Sequence, residues 1–142
     1  MPNLPVCVDA SFVIRLLESK TEESSPATLW QVWHTDLRPI VAPTLLYYEI
    51  TNALHRYVVH GYLRPEHARA ALEATFDLDI TLYGDAHLHA HAFQIAERLN
   101  LPAAYDAHYL ALSERLGAEF WTADRQLVRA VGDKLLWVRL VE

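Results

Sequence analysis

The sequence predicts an α/β protein built on a parallel sheet with helices over both faces. Two observations carry that prediction. Five short runs of β-branched and apolar residues alternate with segments whose apolar positions recur at helical spacing, and such alternation sets helices against the faces of a mostly parallel sheet. The 142 residues are 52% apolar and 21% charged, with only four glycines. That composition describes a single domain over residues 1–142 with enough apolar mass to fill a core.

The elements follow in order. Pro5-Val6-Cys7-Val8 is a first strand ending at Asp9-Ala10-Ser11, after which Phe12, Val13, Leu16 and Leu17 recur as a helix. Ser24-Ser25-Pro26 starts a second helix, which carries Leu29, Trp30 and Trp33 and ends near Arg38-Pro39. Ile40-Val41-Ala42 is the second strand. A long helix from Leu45 to His60 is closed by Gly61, and Arg64-Pro65-Glu66 starts another that runs to Phe76. Asp79 to Leu82 is the third strand. Between Asp85 and Leu99, the stripe Leu88, Ala92, Ile95, Ala96 and Leu99 marks an amphipathic helix stopped by Asn100 and Pro102. Asp106 to Leu116 is helical with Gly117 at its end, Glu119 to Thr122 is the fourth strand, Arg125 to Val131 is a short helix, and Leu135 to Leu140 is the last strand. In open sheets of this kind, sites form beyond the carboxyl ends of the strands.

Composition excludes several function classes. Uncharged apolar stretches such as Pro39 to Tyr48 stay far below the roughly 18 residues of a membrane span, and Asp9 and Arg15 interrupt the N-terminus too early for a secretory core. A soluble, cytoplasmic protein is expected, with no membrane partner. The lone Cys7 supports neither a disulfide nor a zinc knuckle and reads as a small buried hydrophobe. The net charge of −6 argues against a protein that grips nucleic acid by a basic surface. Lysine is confined to Lys20 and Lys134 against ten arginines. A phosphoacceptor receiver domain needs a lysine beyond a late strand, whereas Lys134 precedes the last strand; a dehalogenase-type phosphatase needs a second aspartate where Ser11 stands.

Four acids then stand out. Asp9 directly follows the first strand and Asp124 follows the fourth, both at the edge where a site is expected, although each also suits a helix N-cap. Asp106 opens its helix and invites the same alternative. Glu49 has Leu45, Leu46 and Ala53 as helical neighbours and no Lys or Arg within one turn. It is either a glutamate on the edge of the apolar stripe or a carboxylate that needs a distant cation, a raised pKa or a metal ion. Anions gathered at one edge repel unless a cation collects them, and Mg²⁺ or Mn²⁺ takes carboxylate and water oxygens while keeping open positions. Ser11 and Thr122 lie two residues from Asp9 and Asp124 and supply hydroxyls able to orient carboxylates or metal-bound water.

These residues form an ordered set. Val8-Asp9-Ala10-Ser11, Tyr48-Glu49-Ile50-Thr51-Asn52-Ala53-Leu54, Tyr105-Asp106-Ala107 and Trp121-Thr122-Ala123-Asp124, with Leu110 to Ala118 between the last two acids, resemble the PIN domain along essentially the whole chain. The likeness is to the toxin component of VapBC-type toxin–antitoxin pairs. It implies a three-layer α/β/α sandwich on a central, mostly parallel five-stranded sheet, and a Mg²⁺- or Mn²⁺-dependent endoribonuclease. It carries Asp9, Glu49, Asp106 and Asp124 over as catalytic and metal-binding residues. It also implies an RNA substrate, a homodimer and a cognate antitoxin, whose arginine or lysine would enter among the four acids. The alternative is a catalytically weak PIN-like scaffold that binds RNA or protein without cutting it.

The remaining polar and aromatic residues invite other readings. His87 and His91 are four apart on one helix, but no glutamate sits at position 88 and His87 faces away from the apolar stripe, so a structural zinc site is not expected. His108 reads as a helix-surface residue near the acids. Trp30, Trp33, Trp121 and Trp137 read as core or interface packing, because no basic stripe accompanies them. Leu29, Trp30, Trp33, Tyr57 and Val58 are the expected dimer interface.

Overall fold

The computed structural model describes residues 4–21 and 23–142. Along the chain the elements are β1 (Val6–Val8), α1 (Ala10–Glu18), α2 (Ser25–Thr35), β2 (Ile40–Pro43), α3 (Leu45–Val59), α4 (Pro65–Phe76), β3 (Thr81–Tyr83), α5 (Ala86–Arg98), α6 (Tyr105–Leu116), β4 (Glu119–Thr122), α7 (Arg125–Val131) and β5 (Val138–Leu140). Among the described residues the strands form one sheet in the order β3-β2-β1-β4-β5. Every neighbouring pair is parallel, with Val6 opposite both Ile40 and Glu119. β1 is therefore the central strand. The chain builds outward from it to β2 and β3, then crosses back to lay β4 and β5 on the other side. The carboxyl ends of β1 and β4 form the switch point, where adjacent connections leave in opposite directions and a crevice opens.

β1 and β2 are buried at every position, as expected of strands covered on both faces. α6 lies across β1, β2 and β4, with α5 packed behind it, while α1 meets β4, α3 meets β2, and α1 also packs on α2, α3 and α4. Because α6 is wedged between the sheet and α5, Ala107 and the run Tyr109 to Ser113 are all buried. The middle of a helix covered from two sides needs no polar face. Gly117 ends it in the left-handed conformation (φ +65°), which the absence of a Cβ makes unstrained. Inside, Tyr109 stacks on Phe120 with ring centroids 5.7 Å apart, and Trp33 sits between Phe12 (5.3 Å) and Trp121 (5.9 Å).

Several boundaries differ from expectation for identifiable reasons. α2 stops at Thr35, short of Arg38, because Leu37 turns the chain with φ +57° and the N–H of Arg38 bonds back to the carbonyl of Trp33. β3 begins at Thr81 because Asp79 is left-handed (φ +58°) and cannot extend a strand. β5 begins at Val138, three residues late: the N–H groups of Lys134 and Leu135 both bond to the carbonyl of Val131, so the chain first wraps the end of α7. Trp33 is only 2% exposed and belongs to the core, which removes it from the expected dimer interface, while Leu29, Trp30, Tyr57 and Val58 are partly covered by the core. Trp33→Ala is expected to cost about 3–5 kcal/mol of unfolding free energy. Urea denaturation at two protein concentrations should give the same loss, since the residue packs within its own chain.

Candidate active site

Asp9 is the residue immediately after β1, and its backbone is extended so that the side chain caps α1. One carboxylate oxygen, Oδ1, accepts the N–H of Phe12 at 2.9 Å and the hydroxyl of Ser11 at 2.7 Å. The other, Oδ2, accepts the hydroxyl of Thr122 from the end of β4 at 2.5 Å. Those hydroxyl oxygens accept in turn: Ser11 Oγ from the N–H of Ala123 at 2.9 Å, and Thr122 Oγ1 from the N–H of Asp124 at 3.0 Å. Ser11 and Thr122, expected as supporting residues, thus tie the loops after β1 and β4 together through Asp9. Asp9 is only 7% exposed. Burial pushes its pKa up to about 6, against the opposing effect of the bonds from Thr122, Ser11 and Phe12, and the charge of Asp106 adds to the rise.

The three other acids face the same edge from different elements. Glu49, half-buried on α3, receives the hydroxyl of Tyr109 at 2.5 Å on Oε1. Its pKa is raised by burial, lowered by that hydrogen bond, and raised again by Asp106. Asp106 stands in the first turn of α6, but Ala104 is the N-cap and makes no side-chain bond. The capping alternative for Asp106 is therefore wrong, and its half-buried carboxylate has neither a hydrogen bond nor an ion pair among the described residues. Burial and then the charge of Asp124 raise its pKa. Asp124 is an N-cap of α7, its Oδ1 accepting the N–H groups of Gln126 and Leu127 at 3.0 and 3.2 Å. Asp106 is the electrostatic hub, coupled to each of the other three.

The ion pairs among the described residues all lie elsewhere: Arg38 with Glu119, Arg98 with Glu114, Arg115 with Asp85, Arg125 with Glu142 and Arg139 with Glu119. No described lysine or arginine pairs with the four acids, and His108 alone opposes the charge of Glu49 among the described residues. Nor do three acidic, histidine or cysteine side chains among the described residues come close enough to cage one ion. His91 is turned to Glu114 at 3.1 Å and His87 is exposed. His108 is half-buried, not a free surface residue, and bonds His89 at 3.0 Å. Sequence reasoning missed the part played by Tyr109. The available signal was a tyrosine inside the apolar run of α6, since a buried phenol requires a hydrogen-bond partner.

A family profile described as PIN domain matches residues 6–133, a span that contains all four acids. The chain belongs to the PIN domain family. This PIN domain is 28% identical over 128 residues to a protein named Ribonuclease VapC3 from Pyrobaculum aerophilum, covering 87% of this chain and 92% of that protein. Its fold matches the crystal structure of PAE2754 from Pyrobaculum aerophilum with a TM-score of 0.68 and 23% identity, over 92% of this chain and 86% of that one.

The raised pKa of Asp9 has a thermodynamic sign. A native pKa near 6 lies above the ordinary aspartate value of about 4, so the native state holds a proton that the unfolded chain releases. The stabilisation is complete below about pH 4 and is lost as pH rises through about 6. Metal-free protein should melt several degrees higher at pH 5 than at pH 7.5. Asp9→Asn should flatten that dependence, as differential scanning calorimetry in EDTA would record.

Proposed function

We propose that this PIN domain is a divalent-metal-dependent endoribonuclease, with residues 1–142 acting as one nuclease unit. The observation that carries the reading is the convergence of four carboxylates with no paired lysine or arginine at the β1/β4 switch point, all coupled through Asp106. Mutual repulsion raises the free energy of this arrangement, and a bound cation offsets it. The donors are all oxygens, which suits Mg²⁺ or Mn²⁺ over zinc. Mg²⁺ keeps several of its waters and needs only one or two carboxylates, so no closed protein cage is required. The named relative supports ribonuclease chemistry.

Asp9, Asp106 and Asp124 would hold the metal, with Glu49 at its margin. When bound, the metal would supply an activated water and neutralise charge on the phosphodiester. Glu49 has one oxygen fixed by Tyr109 and the other open, so it is oriented to accept a proton from an attacking water. The Tyr109 hydroxyl stays protonated, because burial and the charge of Glu49 both push its pKa upward, and it acts as a fixed donor. Ser11 and Thr122 keep Asp9 from turning away from the edge. The likeness to VapC3 supports a toxin in a cytoplasmic toxin–antitoxin pair. Its antitoxin would silence the site by placing an arginine or lysine among the four acids. A homodimer belongs to the same proposal, through surfaces other than Trp33.

The decisive experiment is cleavage of single-stranded RNA in Mg²⁺ or Mn²⁺. Asp106→Asn should cut at least about a hundredfold more slowly with its circular dichroism unchanged, and Asp9→Asn, Glu49→Gln and Asp124→Asn should each lose most activity. Two or more of these acting at parental rates would refute the assignment. Tyr109→Phe removes one hydrogen bond and no volume, so kcat is expected to fall about tenfold while unfolding free energy drops by about 1 kcal/mol. Millimolar Mn²⁺ should raise the melting temperature of the parent and do so less for Asp106→Asn.

A further inference from the structure

A cavity opens beside the first turns of α3 and α6, the helices that carry Glu49 and Asp106. It has a volume of about 310 Å³ and lies beyond the carboxyl ends of β2 and β3, where Thr44, Tyr48, Tyr83, His89, Tyr105 and His108 line it. Tyr48 and Tyr105 immediately precede Glu49 and Asp106, so the acids and this cavity share two helix starts. Their rings are 74% and 65% exposed and stack on no described aromatic residue. Rings of this size left in water beside a catalytic edge are available to a ligand.

The two histidines give the cavity a directional polar group. Nδ1 of His108 lies 2.8 Å from the carbonyl oxygen of Ala104, and a carbonyl only accepts, so that nitrogen carries a proton. Nε2 of His108 shares a hydrogen bond of 3.0 Å with Nδ1 of His89. Nε2 of His89 has no partner among the described residues and is open to the polar edge of a ligand. The cavity thus combines aromatic faces with an open ring nitrogen. Its lining carries no lysine or arginine to hold a phosphate, which favours an uncharged ring.

We infer that this cavity binds one unpaired base of single-stranded RNA next to the cleaved phosphate, stacked on Tyr105 and Tyr48 with its polar edge on His89. The inference rests on the ribonuclease reading and assigns a base subsite to it. A base inside a duplex is already stacked and paired, so double-stranded RNA is excluded from the cavity. Stacking serves any base, and the His89 nitrogen fixes which edge is presented.

The test uses the full chain carrying Asp106→Asn and a short single-stranded RNA of mixed sequence in which 2-aminopurine replaces one base at a time. Fluorescence quenching at a particular position is expected on binding. Tyr105→Leu, added to that variant, should abolish the quenching and weaken binding about tenfold, and Tyr105→Phe should restore both. With Asp106 intact, an abasic nucleotide at the same position should slow cleavage about tenfold in the parent and no further in Tyr105→Leu. RNA that binds with no position quenched, or Tyr48→Leu and Tyr105→Leu binding and cutting at parental rates, overturns the inference. So does a change in self-association alone, which assigns the surface to a protein contact. Failure of the ribonuclease reading is separately visible as intact RNA with the unsubstituted protein, and the quenching then still decides the cavity.

Discussion

Asp9 accepts three hydrogen bonds at the centre of the sheet, from its own helix start and from the end of β4, and the rest of the site depends on that anchoring. The parallel pairing of β1 with β4 brings the two chain segments together, yet strand pairing stops at Val8 opposite Trp121. Beyond it, the backbone N–H groups of Ala123 and Asp124 would lose their partners if the hydroxyls of Ser11 and Thr122 were absent. A carboxylate buried at this point has its charge spread into two hydroxyls and a helix start, and these in turn satisfy the next loop. Ser11 and Thr122 both commit their hydrogens to Asp9, so their own 3.1 Å contact is between two oxygens already spoken for.

Such a cluster opposes folding, and the remainder of the molecule must offset it. Burial raises the pKa of Asp9, Glu49 and Asp106, and the acids raise one another further. The offset comes from apolar burial concentrated in β1, β2 and α6, and two of the four acids, Asp9 and Asp106, project from the end of β1 and from α6. Stability and chemistry therefore draw on the same layer of the fold. The acids sit where the backbone is least free to relax around them.

What could be read from the sequence divides along a physical line. Strand and helix order was legible because apolar periodicity is local, and Asp9 and Asp124 were legible because a strand end followed by a helix start needs both a cap and an edge residue. For those two, the carboxylate both caps a helix and stands beyond a strand end. Asp106 was ambiguous because capping is decided by the dihedral angles of the preceding residues, and the turn at Ala104 places it inside the helix. Tyr109 was invisible as a partner of Glu49, since the two lie sixty residues apart and meet only when α6 is laid across the sheet. Trp33 was left between core and interface for the same reason: its neighbours Phe12 and Trp121 come from distant segments.

The enclosure of α6 also divides the molecule into parts that can vary and parts that cannot. Asp106, Tyr109 and Ser113 ride on a helix bounded by the sheet on one side and α5 on the other, so any shift of it disturbs both layers at once. Glu49 and Tyr48 ride on α3, which turns part of its surface to solvent. The freer positions are those of α3 and the loops after β2 and β3. There a changed side chain alters what the edge can hold without moving the carboxylate at its hub.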